Sequence, residues 1–375
     1  MPINTPKHLD EVKIVNMGSF YTPHKFVLMA GQWLKDEQID ASYTIMDSSC
    51  GYGAFFNLHK DFPKNKYIGN DIDDEAIKVA AENFPFVTFF NENALKNVGR
   101  SQYKIKENDR LIIVGNPPYN DVTSQSKQNI KCDKMEMDPD IQSRDLGVSS
   151  LKAYAKLSPD YVLILHPLSY LIKKTNFSKA SDFFSSYRII NHIVFPSSEF
   201  ENTSSASVFP IIMALYKRDS HEGLDYKEIW KMRFSTTDGN HFSLSERDYV
   251  GDYIKKYPHN DRYEEEILFY TLRDINALKR SRTFINERII NAVDVDPQKL
   301  SYYCYIDCFK KFASIPYYLG NFDVPFIKNE FIDIEDAVVS ISKFNHPDVF
   351  GENDQPEDSD IIRVKDYINK VISYK

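Results

Sequence analysis

The tetrapeptide Asn116-Pro117-Pro118-Tyr119 combines an amide, a stiff backbone and an aromatic ring at the end of the apolar run Leu111–Val114. Such a run is typical of a buried parallel strand, and two consecutive prolines cannot continue a sheet ladder. The Asn116 amide oxygen and the Pro117 carbonyl would therefore offer two fixed acceptors to an exocyclic amino group, beside the Tyr119 ring. Alone, the tetrapeptide is also compatible with an ordinary strand-to-turn transition.

A second segment that could bind a ligand, Asp47 to Gly53, follows the short apolar run Thr44–Met46. Gly51 and Gly53 let the backbone turn tightly and approach a ligand closely. Phe56 stands where the dinucleotide fingerprint requires a third glycine, and no phosphate-binding Gly-Lys-Ser/Thr sequence follows. The acid would repel a phosphate and would suit a cation such as an amino acid's ammonium group. A plain strand–turn–helix connection explains the glycines equally well.

Two further segments end in polar residues after short apolar runs. Tyr67 to Ile72 predicts a strand after which Asp71 could accept both hydroxyls of a ribose, although a solvated loop acid is the simpler alternative. Asp73 is expected to cap the helix that begins at Asp74. The next run, Phe86–Phe90, is followed by Asn93, whose side-chain oxygen could accept a hydrogen bond from an adenine amino group.

The spacing of these runs predicts a doubly wound, mostly parallel α/β sheet, in which each candidate residue lies just past the carboxyl end of a strand. Open α/β sheets bind their ligands at that edge. Before the first strand, Thr22 and Pro23 predict a helix start, with Thr22 as N-cap and Pro23 at the first helical position. Phe26 and Leu34, eight positions apart, belong to the face expected to pack on the sheet.

These motifs, in this order, resemble those of the S-adenosylmethionine-dependent DNA adenine-N6 methyltransferases of restriction–modification systems, in the group whose amino-terminal motif precedes the cofactor glycines. The resemblance covers residues 14–218. It implies a Rossmann-like methyltransferase sheet and transfer of a methyl group to the N6 amino group of adenine. The matching segments are Gly18–Pro23, Asp47–Gly53, Gly69–Asp73, Asn93–Leu95, Asn116–Tyr119, Asp160–Leu171, Ile189–Phe195 and Ala206–Lys217.

The resemblance also implies a set of cofactor-binding residues that surround S-adenosylmethionine. They are Phe20, Tyr21, Thr22, Pro23, Asp47, Cys50, Gly51, Gly53, Asp71, Ile72, Asn93 and Ala94. In this scheme Asp71 holds the ribose and Ile72 packs on the adenine ring. Asn93 stands where the family usually has Asp, so it keeps an acceptor but loses the charge. Cys50 stands where small residues are usual and is expected to be a packed, reduced thiol.

For catalysis, the resemblance implies that Asn116 and Pro117 accept hydrogen bonds from the target amino group, on a loop stiffened by Pro118. Tyr119 would stack on a target base that has been turned out of the duplex. A second aromatic residue usually completes a sandwich around that base, and Phe200 is the choice by position, with Phe209 as the alternative. No metal is required.

Length and composition predict two domains in these 375 residues: a catalytic domain over 1–220 and, by position alone, a DNA target-recognition domain over 221–375. Residues 120–147 are expected to form a long mobile loop and residues 217–223 a linker. The absence of a long apolar run, of a signal peptide and of paired metal-ligand cysteines favours a cytoplasmic protein with free thiols and no zinc.

The net charge of −8 argues against DNA as a partner, because DNA binding depends on Lys and Arg contacts to phosphates. A local basic face can serve instead, and the candidates are Lys279, Arg280, Arg282, Lys310 and Lys311. Solvated helix faces and an aromatic core are the simpler explanations of these segments. Acidic residues concentrate in residues 330–366.

Three classes of function stay open at this point. The first is a site-specific adenine-N6 methyltransferase acting on double-stranded DNA, with a cognate restriction endonuclease as a further partner and no membrane. The second is a methyltransferase of another amino or amide group, such as an RNA base, cytosine N4 or a protein glutamine. The third is a noncatalytic DNA- or protein-binding relic of the fold, against which the intact motifs speak.

Overall fold

A seven-stranded sheet occupies the centre of the amino-terminal part of the chain. The computed structural model describes residues 22–119, 136–200, 208–219 and 221–374. The strands are β1 (Tyr43–Asp47), β2 (Lys66–Asn70), β3 (Val87–Phe90), β4 (Arg110–Gly115), β5 (Tyr161–Pro167), β6 (Tyr187–Pro196) and β7 (Pro210–Arg218). Their order is β3-β2-β1-β4-β5-β7-β6, and only β7 runs antiparallel to its neighbours. The prediction of a doubly wound, mostly parallel α/β sheet is confirmed.

The register of the sheet brings the ends of the central strands to one edge. Met46 of β1 lies opposite Ile68 of β2 and Ile113 of β4, and Gly69 lies opposite Phe89 of β3. The central strands β1 and β4 are largely apolar and almost fully buried, because helices cover both faces of a parallel sheet. The loops that follow them therefore meet at the carboxyl edge, where the site was predicted.

Helices follow the strands and cover the sheet. They are α1 (His24–Asp36), α2 (Asp74–Asn83), α3 (Leu146–Leu157), α4 (Ser169–Ile172), α5 (Lys174–Lys179), α6 (Ser181–Phe184) and α7 (Tyr226–Lys231), with 3-10 turns at Ala54–Lys60, Arg100–Tyr103 and Ser197–Glu199. Phe26 and Leu34 of α1 are buried, which confirms the predicted core face. The predicted helix start is one residue too early, because Pro23 has an extended ψ of 140° and is itself the N-cap.

Aspartate side chains fix two helix starts at this edge. Asp73 accepts hydrogen bonds from the amides of Glu75 (3.0 Å) and Ala76 (3.2 Å), as predicted. Asp145 accepts in the same way from Gly147 (3.0 Å), so α3 begins at Leu146. Residues 120–147 were expected to form a loop. In the described part of that segment the loop ends at the N-cap Asp145, and residues 146 and 147 already belong to α3.

Arg100 ties together the loops at the opposite edge of the sheet. Its guanidinium is buried and donates to the carbonyls of Leu157 (2.9 Å), Ser158 (2.8 Å), Lys106 (3.0 Å) and Asp109 (2.7 Å). Carbonyl oxygens thus satisfy a buried cation that would otherwise be costly. This arrangement holds the entry to β4 and the entry to β5 in fixed positions.

The chain divides into two compact units at residues 229–239. Unit 1 ends with Ile229 but regains residues 234–238, which include β8 (Phe234–Ser235); unit 2 holds residues 230–233 and everything from Gly239. Residues 217–223 are not a free linker, since Lys217 and Arg218 end β7. The Leu224 amide also donates to the Phe184 carbonyl at 2.7 Å. Residues 221–229 thus pack on unit 1 rather than with the second domain.

Unit 2 is a mixture of helices and very short strands. The strands are β9 (His241–Phe242), β10 (Asp248–Tyr249), β11 (Leu268–Tyr270), β12 (Phe284–Ile285), β13 (Ala292–Asp294) and β14 (Pro325–Phe326). The helices are α8 (Ile275–Arg280), α9 (Leu300–Phe312), α10 (Lys328–Phe331), α11 (Glu335–Asn345), α12 (Pro347–Phe350) and α13 (Asp358–Ile372). Tyr303, Tyr305 and Phe309 of α9 are buried, so its aromatic residues form core. No helix within residues 22–119, 136–200, 208–219 and 221–374 is long and apolar enough to cross a membrane.

Replacement of Gly53, in the turn after β1, should damage the fold directly. Gly53 has φ of +83°, and a Cβ there would lie 2.6 Å from the Phe56 ring and 3.0 Å from the Phe84 ring. Gly53→Ala should lower the free energy of unfolding by about 2–4 kcal/mol, from left-handed backbone strain plus overpacking. Gly51→Ala is the control, because its φ is +49° but no atom lies within 4 Å of the added carbon. Equal losses of stability in urea unfolding would contradict this account.

Candidate active site

The turn after β1 presents bare backbone at the carboxyl edge. Gly51 and Gly53 both have positive φ, as the predicted tight turn requires. Space lies open beside Gly51, because a Cβ built there meets no atom within 4 Å. A ligand could therefore approach this backbone more closely than it could approach any residue with a side chain.

Asp71, after β2, lies directly against this turn. One of its carboxylate oxygens accepts from the Gly51 amide at 2.7 Å and the other from the Asp73 amide at 3.0 Å. Burial raises the pKa of Asp71 despite these hydrogen bonds, which favour the charged form. The neighbouring Ile72 is 53% exposed, so its apolar side chain is accessible to a ligand at this edge.

Asp47, at the end of β1, is 2% exposed and accepts a hydrogen bond from the Ser49 amide at 3.1 Å. Burial, and secondarily repulsion from Asp71, raises its pKa to about 8. Its carboxylate lies over β4: a Cβ added to Gly115 would be 3.0 Å from the Asp47 oxygen. The acid of the first turn and the residue before Asn116 are therefore in contact.

Asn70 is a positioning residue that the sequence analysis missed. Its buried amide group donates to the carbonyls of Ser48 and Glu92, each at 3.0 Å, and its oxygen accepts from the Glu92 amide at 3.0 Å. One side chain thus joins the turns that follow β1 and β3 to the end of β2. The sequence signal for such a role was a polar residue at the end of an otherwise buried strand.

The remaining predicted cofactor residues, Asn93, Ala94 and Cys50, differ in burial and in the hydrogen bonds that their side chains already make. The Asn93 oxygen accepts from the Leu95 amide at 2.9 Å and its amide donates to the Glu136 carbonyl at 2.7 Å, so its side chain already shapes a turn. Ala94 beside it is half-buried. Cys50 is buried in the core with a pKa raised by burial, as expected for a packed thiol, and its sulfur lies 3.7 Å from the Gly51 carbonyl oxygen.

The amino-terminal motif is described only in part. Thr22 and Pro23 are half-buried at the start of α1, and Phe20 and Tyr21 lie outside the described residues. An ion pair of 2.6 Å between Lys25 and Glu199 joins this helix start to the segment after β6. The motif therefore lies on the carboxyl side of the sheet.

The Asn116-Pro117-Pro118-Tyr119 loop begins where β4 ends at Gly115. Pro117 is buried, whereas Asn116, Pro118 and Tyr119 are half-buried. The Tyr119 hydroxyl donates to the Asn116 side-chain oxygen. Burial, and secondarily the phenol of Tyr154, raises the pKa of Tyr119, so the ring is neutral and can donate. The loop thus holds an amide oxygen and an aromatic ring together.

Phe200 does not fit the predicted role in a base sandwich. Its side chain is 2% exposed and packs edge-on against Phe195, with ring centroids 5.7 Å apart, inside the hydrophobic core. A buried ring has no free face to offer a base. The alternative, Phe209, is half-buried and packs at the periphery of the same core, as does Tyr119.

The five basic candidates lie on unit 2 and are exposed. Lys310, in the last turn of α9, donates to the Ser281 carbonyl just after α8, which brings the ends of the two helices together. Lys311 donates to the Asn345 oxygen at 2.7 Å, and Arg282 lies over the Tyr270 ring. Several other cations of unit 2, such as Lys256, Arg288 and Arg363, pair with acids. Within the described chain, no carboxylate lies within 4.0 Å of Lys279, Arg280, Arg282, Lys310 or Lys311.

The sheet order and the single antiparallel strand, with this glycine turn and acid at the carboxyl edge, define a Rossmann-like methyltransferase fold. Comparison of the sequence with protein families agrees: the family described as N-6 DNA Methylase matches residues 7–173. The match confirms the predicted resemblance to adenine-N6 methyltransferases for that part of the chain. No curated protein matches the sequence.

Three solved structures with a similar backbone are distant in sequence. One, from Vibrio vulnificus, is described as the modification subunit of a type I restriction enzyme (14% identity, TM-score 0.41, 55% of this chain and 45% of that one). Another, from Listeria monocytogenes, is described as a class I S-adenosylmethionine-dependent methyltransferase (16% identity, TM-score 0.40, 59% of this chain and 66% of that one). A third, from Pyrococcus horikoshii, is described as an RNA methyltransferase (12% identity, TM-score 0.37, 54% of this chain and 88% of that one). The aligned part of this chain spans less than two thirds of the length of the Vibrio and Listeria proteins.

Asp47 should make stability depend on pH. Its carboxyl keeps its proton in the folded state up to about pH 8, whereas in the unfolded chain it ionises near pH 4. Its contribution to stability is therefore complete below about pH 4 and is lost as the pH rises towards 8. Asp47→Asn should be more stable than the wild type by at least about 1 kcal/mol at pH 8 and should differ little at pH 4.

Urea unfolding of the wild type and of Asp47→Asn, without cofactor at the acidic and the alkaline pH, measures this difference in the free energy of unfolding. Asp74→Asn is the control, since Asp74 is exposed on α2. An Asp47→Asn variant that loses stability with pH as steeply as the wild type would contradict the assignment. A bound ammonium group would favour the ionised carboxylate, so the same substitution should weaken binding of a cationic ligand most clearly at about pH 8, where the free carboxyl already ionises.

Proposed function

We propose that this chain is a site-specific DNA methyltransferase that moves a methyl group from S-adenosylmethionine to the N6 amino group of an adenine turned out of the duplex. The contact between Asp47 and Gly115 carries the proposal, because it couples an acidic, glycine-bearing turn to the loop of Asn116 and Tyr119. The match to the N-6 DNA Methylase family over residues 7–173 supports it.

The residues of the carboxyl edge fit the cofactor. The carboxylate of Asp47 suits an ammonium group, the open backbone at Gly51 suits close approach, and Asp71 suits the two hydroxyls of a ribose. Ile72 offers an exposed apolar surface for a flat ring. When bound, S-adenosylmethionine would supply an electrophilic methyl group on a sulfonium. No group of three or more His, Cys, Asp or Glu side chains in the described ranges is arranged to bind a metal.

Asn116 and Pro117 would prepare the nucleophile. The lone pair of the adenine amino nitrogen is delocalised into the ring, so this nitrogen attacks poorly as it stands. The Asn116 side-chain oxygen and the Pro117 carbonyl would each accept one of its hydrogens and favour a more tetrahedral nitrogen. The stiffness of the two prolines fixes these acceptors. The remaining rate acceleration would come from holding the amino nitrogen in line with the methyl group.

Tyr119 would hold the base once it has left the duplex. Turning a base out costs a few kcal/mol, and stacking on an aromatic ring returns about 1–3 kcal/mol per base. Tyr119 supplies one ring at the right end of β4, and Phe209 is the better candidate for the second because Phe200 is buried. Two rings would offset most of the cost.

Unit 2 would contact the duplex and select the site. Its exposed basic residues at the ends of α8 and α9 give a local positive surface on a chain with net charge −8. Phosphate contacts position a protein on DNA, and base contacts then specify the sequence. A restriction–modification setting in the bacterial or phage-infected cytoplasm, with a cognate endonuclease, is the context proposed for this activity.

The direct test is incubation with methyl-labelled S-adenosylmethionine and mixed DNA, RNA and protein, followed by mapping of the modified base. We expect methyl-adenine within one short DNA sequence. Label confined to RNA or protein, or cytosine carrying the methyl group, would overturn the proposal in favour of another amino or amide acceptor.

Asn116→Ala should reduce methyl transfer by about 100-fold or more, because it removes an acceptor aligned with the reacting nitrogen. Cofactor affinity, measured by calorimetry, should stay within about twofold, since Asn116 contacts the base rather than the cofactor. Asn83→Ala, on the exposed end of α2, is the control and should behave as wild type. Substantial turnover by Asn116→Ala would contradict the role of the amide.

The basic surface of unit 2 should reveal itself in the salt dependence of DNA binding. Arg280→Gln with Arg282→Gln should reduce the slope of log affinity against log salt by about 2, because each phosphate that is no longer neutralised lowers it by about 0.9. Lys370→Gln is the control, because Lys370 is already paired with Glu330 at 2.7 Å. Unchanged slopes in the double variant would place the duplex elsewhere.

A further inference from the structure

The antiparallel ladder between β6 and β7 ends at the carboxyl edge with a pair of residues that departs from the regular pattern. Pro196, the last residue of β6, lies opposite Pro210, the first residue of β7. Beyond this pair, the Ser197 amide donates to the Phe209 carbonyl at 2.8 Å. The Phe209 amide donates in return to the side-chain hydroxyl of Ser197 at 3.1 Å. One of the two bonds that join this pair is therefore made by a side chain.

The course of the backbone explains why a hydroxyl takes this place. In a regular antiparallel ladder, two opposite residues of a hydrogen-bonded pair exchange both amide–carbonyl bonds. The Ser197 carbonyl instead belongs to the 3-10 turn Ser197–Glu199 and accepts from the Phe200 amide at 3.1 Å. The hydroxyl replaces that carbonyl as the acceptor for Phe209. Ser197 is buried, so alanine at this position would leave the Phe209 amide without this acceptor.

These bonds fix the backbone of Phe209 from both sides. Ser197 holds its amide and its carbonyl, and the following Pro210 restricts it to extended conformations. The direction in which the side chain leaves the backbone is thereby set. The turn that carries Ser197 is itself anchored, because Glu199 pairs with Lys25 of α1 at 2.6 Å.

Phe209 lies where a second ring of the base site is needed. It directly precedes β7, whose residue Ile211 lies opposite Pro167 at the end of β5. Tyr119 follows β4, on the other side of β5, and both half-buried rings pack at the periphery of one hydrophobic core. Two strand spacings separate β4 from β7 by about 10 Å. Aromatic side chains from both strand ends can close on a flat ring across that span.

We propose that Ser197 is a positioning residue that holds Phe209 as the second aromatic wall of the base site. The inference rests on the proposed function and adds the residue that sets the geometry of base capture. Ser197 would act through the backbone of Phe209 rather than by touching the base. A ring on a fixed backbone loses little conformational freedom when a base arrives, so more of the stacking energy is retained.

Replacement of the hydroxyl tests this role. Ser197→Ala should lower kcat/KM for methyl transfer to a duplex that carries the mapped sequence by about 10-fold, because the ring loses its fixed position. Affinity for S-adenosylmethionine, measured by calorimetry, should stay unchanged. Ser150→Ala is the matched control, since Ser150 is also buried and its hydroxyl donates to the Leu146 carbonyl at 2.9 Å within α3. An equal fall of kcat/KM in both variants, or in neither, overturns the positioning role.

A double-mutant cycle separates positioning from structural support. In the Phe209→Ala background the ring is absent, so adding Ser197→Ala should cause no further loss of kcat/KM. Urea unfolding should still show a loss of stability from Ser197→Ala in that background, because the backbone amide of residue 209 loses its acceptor with either side chain. Losses of kcat/KM that multiply overturn the positioning role, as does a Phe209→Ala variant that turns over like the wild type.

The base that receives the methyl group is identified separately, in the wild type. Methyl transfer to adenine, with losses of kcat/KM that multiply, rejects only the role of Ser197. Methyl transfer to a different base, with no further loss in the Phe209→Ala background, supports the role of Ser197 and rejects only the adenine assignment. Label confined to protein rejects both.

Discussion

The packing of the Asp47 carboxylate over Gly115 is the constraint on which the rest of the site depends. The register of β1 against β4 brings these two residues together, and a side chain at position 115 would press on the acid, because its Cβ would lie 3.0 Å from an Asp47 oxygen. The turn that would hold the cofactor and the loop that would hold the base therefore cannot move independently. Asn70 extends the same coupling to the turn after β3.

The sequence was sufficient wherever a local rule decides the structure. Paired prolines end β4, positive φ values need glycine at positions 51 and 53, and Asp73 caps the helix beside it. The doubly wound, mostly parallel arrangement of the sheet follows from the same alternation of apolar runs and helices. These features depend on a few neighbouring residues, so their physical causes can be read directly from the sequence.

Features that depend on distant parts of the chain could not be read in this way. Phe200 was placed by motif spacing, yet contacts with Phe195 bury it. Residues 221–229 look like a connection, but the Leu224 amide and the Glu228 carboxylate bind groups of unit 1 that lie far back in the sequence.

The hydrogen bond from Tyr119 to Asn116 has a consequence for which bases can stay in the site. In the described arrangement the Tyr119 hydroxyl occupies one of the two acceptor positions of the amide oxygen, so a bound base would share that oxygen with the hydroxyl. A thymine would present a carbonyl oxygen where adenine has its exocyclic amino group, and two acceptors would then face each other without a proton between them, at a cost of about 1–3 kcal/mol. Because the tyrosine hydroxyl is already bonded to Asn116, it could not donate to the thymine oxygen instead, so rejection of the wrong base would begin before any bond is made.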